Sequence, residues 1–498
     1  MRLTIASRRS ELARIQAYQV GNALQAARPQ LEIKYSFHES LGDRNQNDPL
    51  WQMPEKGVFT QDFREGLLKG DFDLVVHSWK DLAIDDDLKT EIVATLPRAD
   101  TRDLLLMRAD RWPEVERTGT ISILTSSPRR AYNLDSFLRS ALPARLTELN
   151  FMNVRGNVPT RVRKLFQTEV DGLIVAKAAL DRLLEAKQSE FAATQAELRS
   201  ALLRCRWMVL PLSANPAAPA QGALAIEIVR ERNDLRELVT PINCADTFSA
   251  VVREREILRG YGGGCHQKIG VSVLRRPFGE ITSLRGLTDD GKVLNGWTLQ
   301  PSVPRPPKVA RERMWPQESS QADWFTRERI LTKPNPGTAA LWLAKADALP
   351  NDWKVKPEQI VWVSGVQSWK RLAQRGIWVN GCAESLGEHE PHEIETIARS
   401  DLKWQKLTHS ESNADNSMPI VATYRLIPKD GNPDLSGKDH FFWKSGSSFN
   451  YALSRNPGLR QMTHFCGPGN TQRTLQKQGI EPFIFLDHGQ WLEEMSSK

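Results

Sequence analysis

The sequence predicts an α/β protein of several compact parts, and three observations carry that prediction. The chain is 498 residues long, more than one ordinary core accommodates. Its first 240 or so residues alternate short apolar runs with amphipathic stretches, the pattern of parallel strands joined by crossover helices. From about residue 241 that alternation breaks, and a Pro-rich stretch near 301–320 precedes a Trp-rich remainder.

Taken in order, the opening Met1-Arg2-Leu3-Thr4-Ile5-Ala6 reads as a short strand rather than a signal peptide, which needs a longer apolar run and a cleavage site. A helix follows, with Leu12, Val20, Ala23, Leu24 and Ala27 expected on its inner face. Residues 33–37, 74–76, 121–124 and 173–176 are apolar runs suited to buried parallel strands. In sheets of this kind ligands bind beyond the strands' carboxyl ends. A helix over 246–258 leads to Tyr261-Gly262-Gly263-Gly264-Cys265, and alternating segments with a turn at Asp289-Asp290-Gly291 complete a small α+β part. Residues 303–320, with Pro304, Pro306, Pro307 and Pro316 among charges, read as a linker. In the remainder, strands are expected at 360–363, 420–424 and 483–486, a loop at 409–417, and a helix over 471–478 after Gly467-Pro468-Gly469-Asn470.

Composition narrows the function classes. Hydrophobic residues make up 40% and charged residues 26%, as in globular proteins, and no stretch approaches the roughly 20 apolar residues that span a bilayer. A cytoplasmic protein is expected. Cys205, Cys244, Cys265, Cys382 and Cys466 form no Cys-x-x-Cys pair and no cluster with His at metal spacing, so neither disulfides nor a metal site is expected. The net charge of +7 points to anionic partners. Long Lys/Arg blocks are absent, and single or paired arginines beside strand ends suit a small polycarboxylate, which Arg binds through two hydrogen bonds.

Four segments could carry chemistry. Val76-His77-Ser78-Trp79-Lys80-Asp81 sets a cation and a carboxylate at a strand's end. Thr125-Ser126-Ser127-Pro128-Arg129-Arg130 combines an N-cap, a Pro in the first turn and two arginines, a field that favours anions. Asn153-Val154-Arg155-Gly156-Asn157-Val158-Pro159-Thr160-Arg161 puts two arginines around a turn, and Gly262-Gly263-Gly264-Cys265-His266 presents a thiol on a permissive backbone. Each alone is better read as a surface ion pair, a capped helix, a loop or an inert cysteine. Adjacent Cys and His rarely make a nucleophile and base, and no orienting group marks a protease.

In this order and spacing, however, the segments resemble the hydroxymethylbilane synthase (porphobilinogen deaminase) family over residues 1–300. Ile5-Ala6-Ser7-Arg8-Arg9-Ser10-Glu11-Leu12-Ala13, Lys56-Gly57-Val58-Phe59 and Gln221-Gly222-Ala223 add to the match. The resemblance implies two periplasmic-binding-protein-like lobes, 1–98 completed by about 208–238 and 99–207, then a small α+β domain over 239–302. It implies a dipyrromethane cofactor attached through Cys265, onto which four porphobilinogen units are added head to tail with loss of ammonia before water releases the chain. Asp81 would be the catalytic carboxylate. Ser10, Lys80, Thr125, Ser127, Arg129, Arg130 and Arg155 would contact the cofactor, and Arg8, Arg161, Arg182 and Lys56 the substrate. Departures include Gln52, Pro54-Glu55, Trp79, Pro128, Pro159 and Lys177, the last where a small residue is usual.

Residues 321–498 resemble uroporphyrinogen-III synthase through Trp324-Phe325-Thr326-Arg327, Tyr424-Arg425-Leu426, the run from Phe442 to Ser448 and the run from Cys466 to Ile480. This implies a C-terminal α/β domain that closes the linear product into a ring, with Ser445, Ser447 and Thr471 as the residues to test. An inactive, structural domain is the alternative. The rivals for the whole chain are a two-lobed anion-binding protein without chemistry and a basic nucleic-acid binder. The expectation is a monomeric enzyme that binds neither nucleic acid nor membrane.

Overall fold

The fold is given by a computed structural model that describes residues 2–39, 61–84, 87–263, 267–318, 324–332, 339–398, 402–412, 418–430 and 434–497, with Gln321, Asn335 and Gly337. The chain divides into two compact units: one reaches to residue 297, and the other runs from 298 onward together with residues 140–143 and 276–281.

In the first unit two five-stranded sheets share one topology. The strands of the first run in the order Glu32–His38, Arg2–Arg8, Leu74–Ser78, Leu224–Val229, Thr90–Ala94. The first three are parallel, and Leu224–Val229 lies antiparallel to both its neighbours. The second runs Glu148–Met152, Thr120–Leu124, Gly172–Ala176, Asp103–Arg108, Cys205–Val209, again three parallel strands and then an antiparallel one. The chain leaves the first lobe after Ala94 and returns to it at Leu224, so two segments join the lobes. This is a mixed α/β architecture of two lobes.

The strands form where buried Leu, Ile and Val follow one another, as in Leu104-Leu105-Leu106 and Leu173-Ile174-Val175. The first helix, Glu11–Ala27, corrects the expected face: Ala13, Ile15, Ala17, Val20 and Leu24 are buried, whereas Leu12 and Ala23 are half-exposed and Ala27 is exposed. Small residues lie on the sheet side because the helix packs close; at Gly21 an added Cβ would come 2.0 Å from the Tyr35 hydroxyl.

Helix Ala245–Arg259 and the strands Gly270–Arg276, Gly279–Leu287 and Val293–Pro301 make the small α+β part. Its Glu254, buried, accepts 2.8 Å hydrogen bonds from both Arg98 terminal nitrogens and from the amides of Ala220 and Val273. One carboxylate therefore ties both lobe-joining segments to the small sheet.

The second unit holds two further sheets. A six-stranded one runs Phe325–Arg329, Ile420–Pro428, Trp404–His409, Ala340–Leu343, Ile360–Val363, Gly381–Cys382, parallel except for its first strand. A four-stranded parallel one runs Met314–Trp315, His440–Trp443, Thr463–Cys466, Phe483–Ile484. The segment read as a linker is in part structural: Met314–Trp315 is the edge strand of the smaller sheet, and the Val309 amide donates to Met495. Prolines suit such an edge because they remove ladder donors only where no partner strand needs them. Trp315 anchors the strand, its ring 5.4 Å from Trp324 and 5.3 Å from Trp443.

Candidate active site

The chemistry-bearing side chains collect where strands end. After Leu74–Ser78 the chain makes one short turn, Trp79–Asp81. Trp79 is buried edge-on against Phe248, 5.1 Å between ring centres, and its amide donates to Ala223. That anchor leaves Lys80 half-buried and Asp81 exposed at the strand's carboxyl end. Lys80 Nζ donates to Gln221 Oε1 at 3.3 Å. Burial pushes its ammonium down to about 8; Asp81 and Asp103 oppose that shift, and Arg130 and Arg129 add to it.

In the second lobe, Thr125 is buried after strand Thr120–Leu124 and Pro128 opens helix Pro128–Ala141. Thr125 Oγ1 accepts from the Ser127 amide and Ser127 Oγ from the Arg130 amide, 3.3 and 3.4 Å, so the hydroxyls cap the helix as the sequence suggests. The two arginines face inward. Arg130 grips Asp103 with two nitrogens, at 3.0 and 2.6 Å, and Arg129 adds a third contact at 3.0 Å. Asn215 and Gln221 complete the shell of the fully buried Asp103 at 2.9 and 2.8 Å. Burial alone would raise its carboxyl; the two guanidiniums overwhelm that and hold it far below the usual range.

Arg155 and Arg161 flank the start of helix Val158–Gln167, whose N-cap Asn157 accepts from Thr160. Arg161 Nε donates to Gly156 at 2.7 Å. Burial lowers its guanidinium to about 10; Arg130 and Arg155 push the same way and Asp81 opposes, which puts all four in one field. Arg155 Nη2 is buried with no hydrogen-bond partner among the described residues. Arg182, buried, donates to Gln19 at 3.2 Å and to the Gly222 carbonyl at 2.7 Å, bridging the lobes. Gly222 needs its positive φ of 87°, and a Cβ there would meet the Ala99 carbonyl at 2.4 Å.

Arg8 closes strand Arg2–Arg8, and Ser10 stands at the N-cap of Glu11–Ala27 without a side-chain cap bond. Lys56 and Cys265 lie outside the described residues. Lys177, the departure noted above, is buried 2.5 Å from Asp181 and 3.4 Å from Asp100, which Arg102 also holds. In the second unit Ser445 caps helix Gly446–Arg455 by accepting from Ser448, while Ser447 and Thr471 lie in the first turns of Gly446–Arg455 and Asn470–Lys477. Sequence reasoning missed Asp103 and gave Gln221 no role. The one local signal for Asp103 was a carboxylate directly before the apolar run Leu104-Leu105-Leu106-Met107. Among the described residues no His/Cys/Asp/Glu group could hold a metal, and no helix is long and apolar enough to cross a membrane.

Fold and site together define a two-lobed α/β protein in which an exposed carboxylate, Asp81, shares the field of Lys80 and Arg161. Residues 3–237 match the family model described as porphobilinogen deaminase, dipyromethane cofactor binding domain. A porphobilinogen deaminase of Clostridium novyi (strain NT) is 30% identical over 297 residues, 59% of this chain and 91% of that protein. One from Syntrophomonas wolfei is 32% identical over 313 residues, 62% of this chain and 93% of that protein. Among solved structures, a TRAP periplasmic solute binding protein from Desulfovibrio salexigens covers 52% of this chain and 79% of its own at 9% identity and a TM-score of 0.26. The chain belongs to the porphobilinogen deaminase family, and porphobilinogen deaminase activity is its function. A dipyrromethane fits the residues present: its carboxylates call for cations, and the buried Arg155 Nη2 has a donor to give.

Proposed function

We propose that the first unit joins four porphobilinogen units head to tail and that Asp81 carries the proton transfers. The observation behind this reading is the shared field of Asp81, Lys80, Arg130, Arg155 and Arg161. Dipyrromethane, attached through Cys265, would supply the free pyrrole carbon that takes the first unit, and each later unit would join the terminal pyrrole of the growing chain. Around it, Lys80, Arg155 and Arg161 bind acetate and propionate groups, with Arg8, Ser10, Thr125, Ser127, Arg182 and Lys56 as further contacts. Arg129 and Arg130 act from behind, adding positive potential while they stay bound to Asp103. Loss of ammonia and pyrrole attack pass through cationic species, and an exposed carboxylate can take protons from them and stabilise them electrostatically. Intact mass of the denatured protein tests the attachment. A dipyrromethane increment on the wild type after incubation with porphobilinogen, absent from Cys265→Ser, is expected. A wild type that gains no mass removes the reading.

For residues 321–498 we infer a second activity, closure of hydroxymethylbilane to uroporphyrinogen III, against the alternative of a structural domain. What favours it is a pair of largely parallel sheets, the smaller carrying Ser445, Ser447 and Thr471 at helix starts that follow strand ends. Supplied hydroxymethylbilane should give the type III isomer, and a product indistinguishable from spontaneous closure would leave the structural reading.

A further inference from the structure

In the second unit, strands Ala340–Leu343 and Ile360–Val363 end side by side. Lys345 follows the first, and Ser364-Gly365 follow the second and open helix Val366–Gln374. These loops, with Arg327 and Ser385, line a recess of about 310 Å³. Three lining side chains are cations, Arg327, Lys345 and Arg371, and three bear hydroxyls, Ser364, Ser368 and Ser385. Against them stands one carboxylate, Asp347, 3.3 Å from Arg327, so the lining is net positive.

Two observations from outside the lining agree. His409, on the neighbouring strand Trp404–His409, is pushed down to about 4 by burial first, then by Lys406, Lys345 and Arg327, so the positive field reaches beyond the recess. The loop bearing Ser385 runs on to Gly387, where an added Cβ would lie 2.9 Å from Gly469 Cα. Gly469 is the N-cap of Asn470–Lys477, the helix that carries Thr471. The carboxyl ends of both sheets of this unit therefore meet beside the recess, where ligands of parallel sheets bind.

We propose that this recess is a carboxylate-binding site that takes one acetate- and propionate-bearing ring of a tetrapyrrole. The idea rests on the reading that this unit acts on the product of the first. At the small end of the roughly 300–1,000 Å³ usual for ligand pockets, the recess has room for a ring rather than the whole chain. Guanidinium and ammonium groups hold the two carboxylates, and the serine hydroxyls and the Val366–Gln374 N-terminus supply further donors.

The test uses the full chain and uroporphyrin III, an octacarboxylate, as the probe, with binding read by tryptophan quenching. The double variant Lys345→Ala/Arg371→Ala and the single Ser368→Asp should each weaken binding roughly tenfold or more, with porphobilinogen consumption and near-UV circular dichroism unchanged. Unchanged affinity in both variants overturns the site. The isomer formed from supplied hydroxymethylbilane separates this from the parent reading. If the wild type makes type III and the variants lose it together with binding, both stand. If the wild type never makes type III yet the binding loss persists, cyclisation fails and the carboxylate site remains. If the variants keep both type III formation and full affinity, the recess is not the site and cyclisation belongs elsewhere in the unit.

Discussion

In the first unit the strand-end arginines Arg129 and Arg130 are out of water, fixed to a fully buried Asp103 that accepts from five nitrogens. In the second, Arg327 reaches Asp347 across a half-exposed pair, and Lys345 and Arg371 line an open recess. Both units set cations where parallel strands end, but with opposite consequences. A buried guanidinium that already holds a carboxylate gives up part of that pairing at a cost if it turns to a substrate, so in this arrangement it shapes the field and fixes the frame. An exposed one, such as Arg327, gains little from its protein partner, so exchanging that partner for a ligand costs little. The position of an arginine in a motif does not tell which it is; its partner does.

The sharpest way to break this contrast is at Asp81, the exposed carboxylate among the first unit's cations. Asp81→Asn should keep the fold by circular dichroism and lower turnover of porphobilinogen about 100-fold or more; a rate near wild type removes the acid–base role. Next comes the frame. Asp103→Ala strands two buried guanidiniums and should cost about 3–5 kcal/mol in urea unfolding, whereas Asp347→Ala, at the exposed pair, should cost under about 1 kcal/mol. Similar losses at the two sites would erase the distinction.

A smaller effect is expected from pH. Lys80, lowered to about 8 chiefly by burial, is charged below that value and neutral above it. Carboxylate attraction is therefore lost as pH rises, and kcat/KM should fall through about pH 8 in the free enzyme. Lys80→Arg should move that limb well upward; a profile that does not shift assigns it to another group. A small stability effect is also expected at Ser445, where Ser445→Ala removes an N-cap acceptor and should cost about 1 kcal/mol. A lost isomer preference there, with stability unchanged, would give it a ligand-binding role instead.

Leu74–Ser78, Thr120–Leu124 and Gly172–Ala176 were legible as short apolar runs, and the turn after the first because Lys80-Asp81 interrupts such a run. Glu32–His38 was legible as a strand but is not buried as expected, and the apolar Asp103–Arg108 and Leu224–Val229 were not read as strands. The caps around Thr125 and Ser127 were legible from local spacing. The network around Asp103 was not: it gathers residues 103, 129, 130, 215 and 221, and no local pattern encodes contacts that form only when the lobes are assembled. The commitment of Arg182 to Gln19 and Gly222 was hidden for the same reason. Residues 303–320 misled because proline and charge signal a linker, while the two buried residues Met314 and Trp315 turn part of the segment into a sheet edge.

The interleaving of the two lobes also has a consequence at the ribosome. The second lobe takes its five strands from one continuous stretch between Asp103 and Val209, whereas the first lacks its fourth strand until Val229 has been made. At about 5–20 residues per second, strand Leu74–Ser78 waits on the order of ten seconds with an unpaired edge, and its neighbour lobe is completed within that wait. The nascent chain thus finishes its lobes in the reverse of their order in the gene, and the earliest-made strands are the ones that most need shielding from other chains during synthesis.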